Sequence, residues 1–222
     1  MPPAQAFFML HLHRFTFNPF QENTYVVSHP DGTCIIVDPG CQTASEQQRL
    51  NQYLLDKQLK PLAIVNTHAH IDHILGLDYL RTFHQIPFYL HPQELDVLSW
   101  APQSGKMWGF DLEAQEKPEQ LLPDSGTLQI GNIELEVRFC PGHSPGSVCF
   151  ISPEDGWMIG GDVLFRESIG RTDLPGGNHQ QLLQSIKEQL FTLPEHVTVF
   201  PGHGPETTIG HERRHNPFFG AD

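Results

Sequence analysis

The 222-residue sequence predicts a mixed α/β fold, and three observations carry that prediction. Short apolar runs recur along the chain, several with a two-residue alternation, separated by Gly, Pro, Asn and Asp; these mark strands and tight turns. Between some of them lie longer segments whose apolar residues repeat at helical spacing. Four apolar runs each lead into a candidate metal-binding side chain: Val65 into His68, Phe139 into His143, Ile159 into Asp162 and Phe200 into His203. Strand ends on one edge of a layered fold converge, which would bring those side chains to one point.

Residues 7–17, in which Phe8, Leu10 and Leu12 alternate with Met9, His11 and His13, predict an opening strand with His11 and His13 on a solvated face. Tyr25-Val26-Val27 and Thr33–Val37 flank His29-Pro30-Asp31-Gly32, the signature of a hairpin, which ends in Asp38-Pro39-Gly40. Asp38, at a strand's C-terminal end, is expected either to accept a hydrogen bond from a metal-bound histidine or simply to serve the turn. Ser45-Glu46-Gln47-Gln48 reads as a capping box opening a helix over 45–59 that carries Leu50, Tyr53 and Leu54 and stops at Pro61. The strand Leu62–Asn66 follows, then a helix with Leu77, Leu80 and Phe83, a buried strand Pro87–Leu90 and a short helix near Gln93–Trp100. From Ala101 to Pro123 periodicity fails, and this longest irregular segment is expected to be a lid or a plain surface excursion.

Leu128–Ile130 and Ile133–Phe139 alternate strictly about Gly131-Asn132, a second hairpin. Val148–Ile151 and Trp157–Ile159 flank Ser152-Pro153-Glu154-Asp155-Gly156 as a third, ending at Gly160-Gly161-Asp162. Asn178 with Gln181 caps a helix bearing Leu182, Leu183, Ile186 and Leu190, and Val197–Phe200 leads to Pro201-Gly202-His203. The hairpins that end at Asp38 and Asp162 resemble each other, which hints at a doubled architecture.

Composition narrows the function. The formal charge of −13, from 13 basic and 26 acidic side chains, argues against a nucleic-acid backbone or an anionic membrane as partner. The four cysteines form no Cys-x-x-Cys pair, and Cys34 and Cys149 fall inside predicted strands as buried thiols. No charged leader with a long apolar core and no 18-residue apolar run occurs, so a cytoplasmic protein is expected.

The segment Thr67-His68-Ala69-His70-Ile71-Asp72-His73 places three imidazoles and a carboxylate within seven residues. These donors suit zinc and its first-row neighbours. At an extended strand end His68 and His70 point the same way, and a following helical turn swings Asp72 and His73 to a neighbouring direction. One short segment thus serves two adjacent metal positions. Five of the 14 histidines take such roles once His143 and His203 are included; the other nine, among them His84, His91, His179, His196, His211 and His215, are assigned to the surface. A closed structural zinc site would favour clustered cysteines, which the sequence lacks.

The His-x-His-x-Asp-His cluster, the later Gly142-His143, Gly161-Asp162 and Gly202-His203 resemble, in order, the metallo-β-lactamase fold superfamily. The resemblance implies a four-layer αββα sandwich across residues 1–222 as one domain. It also implies one metal on His68, His70 and His143, a second on Asp72, His73 and His203, and Asp162 bridging them. Two divalent ions follow, zinc foremost, with iron or manganese as alternatives. Asp72 and Asp162 are the expected catalytic carboxylates.

Within the superfamily, Gly170-Arg171-Thr172-Asp173-Leu174-Pro175-Gly176-Gly177, Pro201–Ile209 and Asn216-Pro217-Phe218 resemble glyoxalase II, the hydroxyacylglutathione hydrolases, in their short form without a C-terminal glutathione-binding helical domain. The implied reaction is thioester hydrolysis, S-lactoylglutathione to lactate and glutathione, by a metal-bound hydroxide. Arg171 stands where the family places a glutathione-contacting lysine and is the expected substrate contact, while Asp173 stands near an expected tyrosine. Two rivals remain at this level. A persulfide dioxygenase, which shares Gly-Arg-Thr-Asp, would hold one iron on His68, His143 and Asp162. A non-catalytic metal-binding or redox-sensing module would turn over no thioester.

Overall fold

The computed structural model describes residues 9–220. Residues 7 and 8, where the sequence starts the first strand, lie outside that range. Two six-stranded sheets stack face to face with helices on both outer faces. The first takes the order β1 (His11–Phe17), β2 (Glu22–Ser28), β3 (Thr33–Val37), β4 (Lys60–Val65), β5 (Phe88–Leu90), β6 (Gln120–Leu121). The second holds β7 (Ser125–Ile130), β8 (Ile133–Phe139), β9 (Val148–Ser152), β10 (Trp157–Gly161), β13 (Thr198–Pro201) and β14 (Thr207–Thr208), which pair in the order β14-β13-β10-β9-β8-β7. A ribbon of β11 (Leu164–Phe165) and β12 (Ser168–Ile169) lies between β10 and α5 in sequence.

Strand alternation explains the layers. Tyr25, Val27, Ile35 and Val37 from one sheet meet Leu135, Val137, Val148, Phe150 and Ile159 from the other in the central core. Their neighbours Val26, Cys34 and Ile36 face outward onto Leu50 and Leu54 of α1 (Ala44–Asp56) and Leu77 and Leu80 of α2 (Leu77–His84). On the opposite face Cys149, Ile151 and Met158 pack on Leu182 of α5 (His179–Ser185), on Ile186 and Leu190 in the π-helical turn that prolongs it, and on Ile209 of α6 (Ile209–His215). Burying both faces of a sheet requires near-continuous apolar strands. All five residues of β9 and of β10 are buried.

The doubling suggested by the hairpins extends to whole units. The antiparallel pair β2–β3 is followed by α1 and the parallel strand β4; the antiparallel pair β9–β10 is followed by α5 and the parallel strand β13. Asp38 and Asp162 follow the equivalent strands β3 and β10. Each chain exit there is left-handed, at Asp38 (φ 51°) and at Gly161 (φ 50°), where β10 also shifts register.

Three expectations are corrected. The N-cap of α1 is Thr43, whose hydroxyl accepts from Glu46 N while the Glu46 carboxylate accepts from Thr43 N; Ser45 already lies inside the helix. Residues 101–123 are not wholly irregular: Ala101–Trp108 form a helix, α4, following the short α3 (Leu95–Ser99), and Gln120–Leu121 form β6. A Pro at the second helical position and a terminating Gly109 bracket α4, but its short apolar stripe is masked by exposed Met107 and Trp108. His91 is fully buried, bonded through Nε2 to Asp124 at 2.9 Å and stacked on Phe139, so its assignment to the surface fails. The buried thiols hold: all four cysteines are free and buried, and burial raises Cys34 and Cys41 to about 12.

Candidate metal centre

The ends of β4, β10 and β13 bring their donors together. After β4 the chain passes through Thr67 to His68 and His70 and enters a single 3₁₀ turn, Ile71–His73, that carries Asp72 and His73. Asn66 fixes this passage by donating from Nδ2 to the carbonyls of His68 and His73, at 3.1 and 2.9 Å. The loop after β8 supplies His143, the exit of β10 supplies Asp162, and the exit of β13 supplies His203.

Three groups of candidate donors result: His68, His70 and His143 as one set, Asp72, His73 and His203 as a second, and Asp38 with His68 and His73, which overlaps both. His143 Nε2 lies 3.3 Å from His68 Nε2 and 2.8 Å from His70 Nδ1. His203 Nε2 lies 3.0 Å from Asp72 Oδ2, and His73 Nε2 lies 3.7 Å from the same oxygen. Asp162 sits between the sets. Its Oδ2 is 3.6 Å from His143 Nε2 and 3.5 Å from His203 Nε2, and its Oδ1 is 3.5 Å from His73 Nε2. Bonds of about 2.0–2.1 Å in a tetrahedron place donors about 3.3 Å apart, the scale seen here.

Three further observations fit an ion pair. His73 Nε2 and Asp162 Oδ1 are buried without a hydrogen-bond partner, a loss of about 1–3 kcal/mol each unless something else takes their lone pairs. Burial, then the neighbouring imidazoles, holds His68 well below the usual histidine range; burial and His143 push His70 to about 3, and burial lowers His143. Neutral imidazole is the ligating form. Around the second set burial works against the charges, but His73 and His203 are raised by Asp72 and Asp162, and those two carboxylates are lowered by the histidines. Gly202 leaves the necessary space: a Cβ there would stand 2.2 Å from Asp162 Oδ1 and 2.7 Å from His73 Cε1.

Backbone acceptors orient the rings. His143 Nδ1 donates to the Arg171 carbonyl at 2.8 Å and His203 Nδ1 to the Phe20 carbonyl at 3.1 Å, turning each Nε2 inward. Asp38 Oδ2 lies 3.1 Å from His73 Nδ1 but accepts the Thr67 hydroxyl at 2.6 Å, and Thr67 Oγ1 is in turn 3.0 Å from His68 Nδ1. Asp38 therefore stands behind both sets. The Arg171 guanidinium forks onto Asp173 through two 2.7 Å contacts, and the side chain is 53% exposed.

Sequence reasoning missed several supports because each is a lone residue far from the motif. Buried Glu94 accepts from Ala69 N at 2.8 Å, from Gly146 N at 2.6 Å and from Ser144 Oγ, joining the two loops that carry the first set. Asn18 Nδ2 donates to the Asp72 carbonyl at 3.0 Å, and Asn23 Nδ2 and Tyr25 Oη both donate to the Pro201 carbonyl. Only Asn66, adjoining the cluster, carried a positional signal.

Known proteins are similar to this chain along most of its length. The probable metallo-hydrolase YqgX of Bacillus subtilis is 47% identical, over 92% of this chain and 95% of its own. The hydroxyacylglutathione hydrolase GloC of Haemophilus influenzae is 31% identical, over 91% and 94%. Among solved structures, the B3 metallo-β-lactamase BLEG-1 superposes with a TM-score of 0.87 at 41% identity, covering 94% of this chain and 99% of that one. TTHA1623 in a di-iron-bound form gives 0.84 at 39% identity, covering 93% and 99%. The family model described as the metallo-beta-lactamase superfamily matches residues 17–203, from the end of β1 to the last donor. On fold, donor order and that match, the chain belongs to the metallo-β-lactamase superfamily and is a metallo-hydrolase.

Proposed function

We propose that the chain hydrolyses thioesters in the manner of a hydroxyacylglutathione hydrolase, with S-lactoylglutathione as the reference substrate. The observation that carries this reading is the pair of facing donor sets with Asp162 between them, in a chain similar to GloC along almost its whole length. Bound there, two divalent ions would acidify a water and polarise a carbonyl. The di-iron form of TTHA1623 supports iron beside zinc as occupant.

The chain's own residues supply the rest. His68, His70 and His143 present neutral nitrogens, with His143 fixed by the Arg171 carbonyl. Asp72, kept ionised beside His73 and His203, takes the proton of an attacking water. Asp162 holds the two sets at a fixed separation. The departing thiolate needs no acid, because a thiol's ordinary pKa is about 8.5. A single-iron centre would leave the second set, with its unpartnered His73 Nε2, unused; this favours the paired arrangement.

The test is to incubate metal-loaded protein with S-lactoylglutathione and follow thiol release, with elemental analysis of the same preparation. Release of glutathione and lactate with close to two ions per chain is expected. One iron per chain, with oxygen uptake on glutathione persulfide, would replace this reading with the dioxygenase.

A further inference from the structure

The open side of the metal centre carries apolar side chains that the hydrolytic chemistry does not use. His203 keeps 26% of its side chain exposed, against 12% for Asp72 and Asp162 and 2% for His143, and together with half-buried His70 it marks the open side of the centre. The residue that orients His203 through its carbonyl, Phe20, turns its ring onto Trp108 edge-on at 5.3 Å and onto Phe110 at 5.7 Å. Phe165 flanks His203 with its ring 6.4 Å away. Trp108 remains 53% exposed beside Met107 at 76%.

This rim is built in advance. Gly109 ends α4 in the left-handed region (φ 80°), and Phe110 N returns to the Gly105 carbonyl at 2.8 Å, a C-terminal lock that sets the angle between Trp108 and Phe110. α4 itself packs on the 3₁₀ turn that bears Asp72 and His73. Arg171, the expected substrate contact, forks onto Asp173 in a solvent-exposed pair. Exposed Trp108 beside half-buried Phe20 and Phe110 makes an aromatic wall, with Lys106 of the same helix turn as the neighbouring cation, and such walls bind flat apolar groups by offset or edge-on contact.

We infer that Phe20, Trp108 and Phe110 form the seat for a ring-bearing arm of the substrate. Resting on the thioesterase reading, the inference makes the substrate class thioesters that carry an aryl or similarly flat apolar group. The ring can be carried on the acyl or on the thiol side of the thioester.

The experiment compares kcat/KM of zinc-loaded protein for the acetyl and phenylacetyl thioesters of N-acetylcysteamine, and for S-ethyl and S-benzyl thioacetate. A preference of about tenfold for the ring-bearing member is expected in one pair, which identifies the arm. Trp108→Ala should erase that ratio and Trp108→Phe should keep most of it. Separately, phenylacetate but not acetate should quench tryptophan emission saturably, and Trp108→Phe should abolish the quench. Equal kcat/KM within both pairs, unchanged ratios in Trp108→Ala and no quench would overturn the seat and leave the thioesterase reading standing. A saturable Trp108 quench without turnover of any thioester would uphold the seat and overturn the thioesterase reading.

Discussion

Glu94 has one carboxylate for three donors on two loops, which makes its charge distribution hard to replace. One oxygen accepts from Ala69 N between two of the histidines; the other accepts from Gly146 N and Ser144 Oγ beside His143. In Glu94→Gln the amide NH₂ must face a donor on one side or the other, so one loop is pushed away. Partners behind metal ligands typically change affinity about 10–100-fold when altered. We therefore expect a loss of that size for the ion at His68, His70 and His143 and little change at Asp72, His73 and His203. Cobalt titration followed by absorbance would separate the two; equal loss at both sets, or loss of thermal stability alone, would reduce Glu94 to a packing residue. Asp162 acts differently, since it stands between the sets and not behind them. Asp162→Ala should leave the far-ultraviolet circular dichroism unchanged and abolish hydrolysis. Preserved turnover in that variant would refute the bridging role.

The helix start at Thr43 shows how an element can serve the centre from a distance. Glu46 closes the capping box and also accepts from Asn18 N at 2.7 Å, and Asn18 holds the Asp72 carbonyl. Burial alone would raise the Glu46 carboxyl, but the donors from Thr43, Asn18 and Gln42 outweigh it and lower its pKa below the ordinary 4.5. A carboxylate lowered on folding contributes stability above its unfolded pKa and loses it as pH falls through the folded value. Glu46→Ala also removes half of the capping box, which should cost about 0.3–1.5 kcal/mol at neutral pH. The gap to the parent should close below pH 4.5, as read by urea midpoints across pH; a constant gap would contradict the assignment. Sequence patterns placed α5 with its Asn178 cap correctly because its spacing and capping pair are local. They shifted the start of α1 because Ser45 and Thr43 both offer a hydroxyl, and only the position of Glu46 relative to the first turn distinguishes them. The helix α4 leaves little trace in the sequence because only Ala101 and Gly105 of its eight residues are buried, too few to make a clear apolar stripe at helical spacing.

At the scale of the whole molecule, the candidate donors and Asp38 were readable from the sequence and the remaining supports were not, for one physical reason. The candidate donors fall after strand ends in short motifs, while Glu94, Asn18 and Asn23 hydrogen-bond to residues separated from them in sequence by tens to nearly two hundred positions. The doubled arrangement makes the centre a junction: His68, His70, Asp72 and His73 hang from the first sheet, and His143, Asp162 and His203 from the second. Without ions, the junction holds buried carboxylates and imidazoles with unpartnered atoms, so cations that bind only the folded state should tie the sheets together. At free metal a hundredfold above Kd, each site adds about 2.7 kcal/mol. For a domain of this size about 1 kcal/mol moves Tm by roughly 2–4 °C, so each filled site should raise it by about 5–10 °C. Calorimetry with chelator and with zinc would measure the rise. It should fall by about half in Asp72→Ala, which keeps the three histidines of the first set and loses one donor of the second; an unaltered rise would mean that the second set holds no ion.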